Sequence, residues 1–280
     1  MKVIIQTTLF LLLAAGLVFV IYGLFPSSPV YGYTPQQNSS NYSPALLNST
    51  SLTSTANILT TLPSGRNIEV HRYGTGPKKL LIVGNIHGSY ETNAYKVTQM
   101  IQSGIGAGEI VIPQNITLII IPSLNPDGLS RTISLSGRWN GNNVDLNRNF
   151  DYNWKPTTQF HNTTESCGTT PFSEPETSAL RDYVLAEKPD LTIFYHCCWG
   201  DGTTFANKKA KGAGTLLSNS SGYALEVGLS GYTGEGRDWF QSVGLPAIEQ
   251  EFPGWTNTTE VDWEPNKKGL QDLLFWLNEQ

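Results

Sequence analysis

The chain carries little charge, and what it has is scattered. Lys and Arg number 18 and Asp and Glu 23, so 15% of residues are charged and the formal net charge is −5. No run of Lys or Arg occurs, which removes the electrostatic footprint that a nucleic-acid partner needs. Cysteine is scarce too. Cys167, Cys197 and Cys198 are an odd three with no C-x-x-C spacing, which excludes a structural zinc ribbon and a disulfide-dense scaffold. An oxidising compartment would allow Cys167 to pair with one of the adjacent two, and the sequence leaves the pairing open. No internal repeat is present. Gly74-Thr75-Gly76 precedes a strand instead of opening a helix, so it reads as a turn and not a phosphate loop. Histidine is limited to His71, His87, His161 and His196, which makes the position of each informative.

One long apolar run is present. Lys2 precedes an almost unbroken stretch from Val3 to Phe25, long enough to cross a bilayer with its N-terminus inside. Residues 1–25 therefore read as a transmembrane signal anchor. A cleaved signal peptide is the alternative, with Val30-Tyr31-Gly32 offering a cleavage site. Either way the rest is exported, to the cell surface or beyond it, and touches the membrane only through this segment. Residues 26–57 are rich in Ser, Thr, Asn and Pro and read as a spacer that cannot bury a core. Glycosylation acceptor patterns occur at Asn38, Asn41, Asn48, Asn115, Asn162, Asn219 and Asn257, which suits an exported glycoprotein. Residues 58–280 have the size of one α/β domain, expected to be monomeric.

Within that domain strands and helices alternate. Asn67–Tyr73 alternates as an edge strand that hairpins into Leu80–Val83. Leu80–Val83, Ile116–Ile121 and Leu191–Tyr195 are short apolar runs that read as buried strands, and Pro246–Phe252 is a fourth. Helices are expected from Tyr90 or Glu91 to Gly104, from a Ser173 N-cap to Glu187, over Tyr223–Leu229 and over Gly269–Asn278. The pattern predicts an α/β fold with a mixed, mostly parallel sheet covered on both faces. Trp139, Trp154, Trp199, Trp239 and Trp255 read as core or rim packing.

Three metal-suited side chains fall at strand ends. His87 follows Leu80–Val83, His196 closes Leu191–Tyr195, and Glu91 opens the helix just after His87. Two imidazoles and one carboxylate leave a fourth position open for water, the pattern of catalytic zinc. His71 sits inside an alternating strand and His161 in a polar loop, where solvent exposure is the default. Arg131, Arg138 and Arg148 cluster after Ile116–Ile121, suited to bidentate binding of a carboxylate. Glu251 lies at the carboxyl end of the last strand, with Glu249 on the same face of it.

Asn125-Pro126-Asp127-Gly128, Arg138-x-Asn140, Val144-Asp145-Leu146-Asn147-Arg148-Asn149-Phe150 and Ser173-Glu174-Pro175-Glu176-Thr177 follow one another in the order seen in the carboxypeptidase A-like zinc metallocarboxypeptidases, and the chain resembles that family over nearly all of 67–280. The resemblance implies an α/β/α sandwich around a sheet of about eight strands and one zinc ion held by His87, Glu91 and His196. It makes Arg138 the arginine that polarises the scissile carbonyl, Asn147 and Arg148 the clamp on the substrate's terminal carboxylate, and Glu251 the general base. Three residues separate His87 from Glu91 where the family usually has two, and Asn143 replaces a usual Gly. No prodomain is expected before the catalytic unit, whose compactness is similar to the murein-peptide amidases. Tyr232 resembles the family's mobile tyrosine. Arg237, just before Asp238-Trp239, falls where the family lines the pocket for the leaving side chain. The substrate implied is a peptide, or a peptidoglycan-like peptide, whose leaving residue carries a carboxylate side chain. Alternatives on the same residues are a murein-peptide amidase, an N-acyl amino acid deacylase and a non-catalytic surface binding module.

Overall fold

Leu80 and Ile82 face one apolar cluster while Leu81 and Val83 face another, so the strand they form is covered on both sides. A run with no polar alternation requires that placement. Each Leu, Ile or Val so buried contributes about 1.5–3 kcal/mol. The computed structural model describes residues 55–254 and 263–280. The apolar segment 1–25, the spacer up to residue 54, the acceptor patterns at Asn38, Asn41, Asn48 and Asn257, and Trp255 lie outside the described residues. Asn115, Asn162 and Asn219 are exposed.

The strands are β1 (Thr55–Thr61), β2 (Asn67–Tyr73), β3 (Lys78–Val83), β4 (Ile116–Ile121), β5 (Thr157–Phe160), β6 (Thr163–Ser166), β7 (Leu191–Cys197), β8 (Thr203–Ala206), β9 (Ala224–Val227) and β10 (Ala247–Phe252). The longer helices are α1 (Thr92–Ala107), α2 (Pro175–Glu187), α3 (Lys211–Ser221), α4 (Gly236–Ser242) and α5 (Trp263–Asn278). Eight strands make one mixed sheet in the order β1-β2-β4-β3-β7-β10-β8-β9, and β5-β6 is a separate hairpin. In the centre, β4, β3, β7 and β10 run parallel to one another. Side chains of α1, α3 and α5 belong to one core, those of α2 and α4 to the other. The result is the expected α/β/α sandwich. Among the described residues no helix is long and apolar enough to cross a membrane.

Five local expectations are corrected. β2 does not hairpin onto β3 and is not an edge: β1 flanks it on one side and β4 on the other. β3 is apolar on both faces and takes the central place beside β7, whereas β2 alternates buried with exposed positions. The first strand begins at Thr55, so the domain takes in the last residues of the stretch read as spacer. Tyr223–Leu229 is not a helix. The preceding helix α3 stops at Gly222, left-handed at φ 77°, and Ala224–Val227 then pairs in parallel with β8. Sheet pairing overrides the weak helical spacing of that segment. Ser173 is not the cap of α2: Glu174 occupies that position, and the Ser173 hydroxyl donates to its Oε1 at 2.8 Å. The last helix starts earlier than Gly269, at Trp263.

Candidate active site

The carboxyl ends of β3, β7 and β10 open side by side, the edge of an α/β sheet where ligands bind. His196 lies in β7, in register with Glu251 on β10. His87 follows β3 on a sharp turn. Asn85 takes a left-handed φ of 55° there, and its side-chain amide donates to the carbonyls of Gly88 and Glu91. Gly88 has φ 50°, and a Cβ at that position would collide with the backbone of Gly128 and Gly137. Only glycine combines that conformation with that closeness. Gly88–Glu91 then forms one 3₁₀ turn, which absorbs the extra residue between His87 and Glu91 and turns the carboxylate back on the imidazole.

The three groups meet. His87 Nδ1 is 2.6 Å from Glu91 Oε1, and His196 Nδ1 is 3.3 Å from Glu91 Oε2. One ligand atom from each lies within 4.8 Å of the others. All three residues are buried, and Glu91 Oε2 makes no hydrogen bond although it is shielded from water. Two imidazole nitrogens and a carboxylate oxygen suit zinc, and a buried oxygen lacking a donor is what a cation would satisfy. The electrostatics agree. Burial pushes Glu91 up, but His87 and His196 outweigh it and hold the carboxyl below its usual range. Burial pulls His196 down, yet Glu249, Glu91 and Glu251 raise it to about 10. This surplus of carboxylate favours positive charge at its centre.

Glu251 and Glu249 close the set, each with an oxygen within 4.8 Å of a His196 nitrogen. Burial pushes the Glu251 carboxyl up to about 8, with Glu91 and Glu249 adding to the rise against the pull of His196. Its Oε2 has no hydrogen-bond partner. Arg138 reaches the site from the loop after β4. Its Nε and Nη2 donate to Asp145 Oδ2 at 3.0 and 2.7 Å, and its Nη1 is 3.9 Å from Glu91 Oε1. Asn147 donates from Nδ2 to Glu249 Oε1 at 3.4 Å. Arg148 donates to the Asn147 carbonyl at 2.7 Å and lies 4.8 Å from the Tyr232 ring. Arg237 is buried in the first turn of α4. These groups line one cavity of about 710 Å³, which also takes in Tyr90, Phe160 and His161. His161, expected in a polar loop, is exposed at its rim.

Some residues at the site were not foreseen. Asp145 is fully buried and lies 3.2 Å from His87 Nε2 while binding Arg138, so it orients a candidate ligand and the arginine at once. Glu165 stands 3.2 Å from Arg138 Nε. Asn125 donates from Nδ2 to the carbonyls of Ile86 and Arg138, tying the His87 turn to the arginine loop. Its place in Asn125-Pro126-Asp127-Gly128 was the available signal. Of the pairings the sequence leaves open, the structure has neither through Cys167: Cys197 pairs with Cys198 in a disulfide on the cavity wall, and Cys167 is free and buried.

Residues 48–198 match the family model of peptidase M14, zinc carboxypeptidase. Carboxypeptidase O of Bos taurus is 28% identical over 165 residues, 48% of this chain and 44% of that protein. Bacteriocin BCN5 of Clostridium perfringens is 26% identical over 206 residues, 69% of this chain and 22% of its own length. The chain thus spans less than half the length of these curated relatives. Among solved structures, the murein-tripeptide amidase MpaA from Escherichia coli O157 superposes with a TM-score of 0.59 at 20% identity, over 79% of this chain and 91% of that one. Bovine thrombin-activatable fibrinolysis inhibitor gives 0.64 at 15% identity, over 81% and 90%. Those two show the fold, whereas the family match covers more than half of the chain and includes His87, Glu91, Arg138, Asn147, Arg148 and His196. The chain belongs to the zinc carboxypeptidase family.

Proposed function

We propose that this chain is a zinc-dependent carboxypeptidase that removes one residue from the C-terminus of a peptide and favours a leaving residue with a side-chain carboxylate. The observation that carries this reading is one cavity edged by a buried His–Glu–His set, an unpartnered carboxylate oxygen on Glu251 and the Asn147–Arg148 pair. When bound at His87, Glu91 and His196, zinc supplies Lewis acidity, which brings the pKa of an attacking water to roughly 7. Glu251 is placed to accept the proton of that water and to pass it to the departing amine. Arg138 remains charged at any working pH, because Asp145, Glu165 and Glu91 raise it further against burial. Its Nη1, on the side of Glu91, is placed to meet the oxyanion of the tetrahedral intermediate. Arg148 and Asn147 grip the terminal carboxylate, which fixes the scissile bond over the site. Arg237 supports the side-chain preference: it is 3% exposed and its Nε has no hydrogen-bond partner.

The same groups would serve an amidase acting on murein peptides, and the fold shared with MpaA supports that second reading. We place the enzyme outside the cytoplasm, anchored or secreted, on the strength of the run Val3–Phe25. The direct test is metal analysis of the purified chain with a panel of blocked dipeptides. One zinc per chain is expected, and His196→Ala should lose both the metal and hydrolysis. Full zinc occupancy in that variant would sink the assignment.

A further inference from the structure

Two carboxyl groups share the guanidinium of Arg138. The first is Asp145, whose Oδ2 alone accepts from both Nε and Nη2. Bonds that converge on one oxygen hold the guanidinium at a single point, about which it can rock. The second is Glu165, whose Oε1 stands 3.2 Å from the same Nε. It comes from the β5–β6 hairpin, where it is the one buried residue of either strand. Burying a carboxyl is costly unless it is bonded. Here Trp139 Nε1, next in sequence to Arg138, donates to Oε1 at 2.9 Å. Glu165 pairs with Thr158 across the hairpin, so it shares a face with Thr158 and Phe160. A bridge between Val144 and Ser166, with the Asp145 amide donating to the Ser166 carbonyl at 3.0 Å, sets Asp145 alongside Glu165.

The hairpin thus supplies the second point that Asp145 lacks. With Oε1 beside Nε and the Phe160 ring over the face, the plane of the guanidinium is set. Nη1 remains, 3.9 Å from Glu91 Oε1 and beyond hydrogen-bond reach. We propose that Glu165 is a positioning residue of the reaction: it locks Arg138 so that Nη1 meets the oxyanion without reordering. A donor fixed beforehand is worth more to a transition state than one that must turn to it. Glu165 is not among the described residues that line the cavity, so it acts only through the arginine. Burial and Asp145 push its carboxyl up, against Arg138 and the Trp139 bond, and Oε1 stays an acceptor in either protonation state. The inference rests on the carboxypeptidase reading and adds to it a residue that no motif of the sequence marks.

The test uses the full zinc-loaded chain on blocked dipeptides ending in Glu and in Ala, the Glu and Ala peptides, with zinc measured in every variant. Glu165→Ala should lower kcat by about 10- to 100-fold, the worth of a hydrogen bond to a charged group, and leave KM within about 3-fold. Glu165→Gln keeps the acceptor and should retain at least about 5 times the kcat of Glu165→Ala. A dipeptide analogue with a phosphonate in place of the scissile amide carries the tetrahedral charge. Its affinity for Glu165→Ala should fall by the factor lost in kcat/KM, while inhibition by the free amino acid product, which reads the Arg148 clamp, changes little. In an Arg138→Ala background, adding Glu165→Ala should change analogue affinity by under about 2-fold, because the group it positions is gone. Should Glu165→Ala fail to fold, Trp139→Phe removes only the bond that fixes Oε1, and kcat should fall by at least about 3-fold at constant KM. A kcat within about 3-fold of wild type in Glu165→Ala, a loss that appears in KM instead, or equal losses with and without Arg138 would overturn the positioning role and leave the carboxypeptidase reading standing. Hydrolysis of neither peptide by wild type would overturn that reading, and this inference with it.

Discussion

Glu249 and Glu251 stand on one face of β10, two residues apart, yet their surroundings differ. Glu249 contacts His196, Asn147 and Arg237, and although burial opposes it, His196 and Arg237 hold its carboxyl below the usual range. Glu251 keeps one oxygen without a partner and is pushed up to about 8 by burial. A base needs an oxygen that no other group occupies, and Glu251 Oε2 is one. Glu251→Gln is expected to retain zinc and lower kcat by at least about 100-fold, the usual scale for loss of a general base. If kcat on the Ala peptide falls that far in Glu249→Gln instead, the two roles are reversed. His87, His196 and Glu251 were legible because each ends an apolar run, and strand ends in such a sheet face the ligand. Asp145 and Glu165 were not. Asp145 meets His87 across 58 residues of sequence, and Glu165 meets Arg138 only through a hairpin with no readable pattern.

That hairpin shows where element-level reading stops. The central strands β3, β4 and β7 declare themselves by uninterrupted apolar residues, and the structure has them nearly as expected. The strands β5 and β6 are short, largely polar and partly exposed, so neither period nor burial marks them. β9 was read as a helix for a related reason: four residues give no period, and its identity comes from β8 alongside. The β5–β6 hairpin nevertheless backs the arginine of the site. The Phe160 ring centre is 4.1 Å from the Arg138 guanidinium, and Glu165 Oε1 accepts from Trp139 at 2.9 Å while standing 3.2 Å from Arg138 Nε. Removing that ring should loosen a group needed only as charge develops in the reaction. Phe160→Ala is expected to lower kcat by roughly 3- to 30-fold, from a cation–π contact of about 0.5–2 kcal/mol. KM and product inhibition, which report the Arg148 clamp, should move little. A rise in KM at constant kcat would place Phe160 in substrate binding instead.

At the scale of the whole molecule, the sheet order brings three carboxyl ends together, and a buried polar lock holds the arginine-bearing loop against α2. Asn140 Nδ2 reaches Glu174 at 2.8 Å and both oxygens of Glu176 at 3.2 Å, while Thr177 donates to Asn149 at 2.6 Å. Two motifs separated in sequence, one ending in Asn149-Phe150 and the other Ser173-Glu174-Pro175-Glu176-Thr177, are thus the two halves of one joint. Their order in the chain was legible, but their contact was not, since side-chain pairing across loops leaves no period. The lock has a measurable signature. Glu176 is 1% exposed, and burial pushes its carboxyl up from 4.5 to about 7, even though its backbone and Asn140 bonds pull the other way. The folded chain therefore keeps this proton up to about pH 7, whereas the unfolded chain releases it near 4.5. Stability must fall as pH rises between those two values and level off above them, by about 3 kcal/mol for this group alone. Glu176→Gln imitates the protonated form at every pH. Denaturant unfolding of the variant should therefore exceed wild type by up to about 3 kcal/mol at pH 8, and the gap should shrink to under about 1 kcal/mol at pH 5. Because the comparison is made at each pH, changes in metal affinity common to both proteins drop out. A variant less stable than wild type at pH 8, or a gap that does not narrow on acidification, would mean that Glu176 is ionised in the folded protein and that the joint is held by charge.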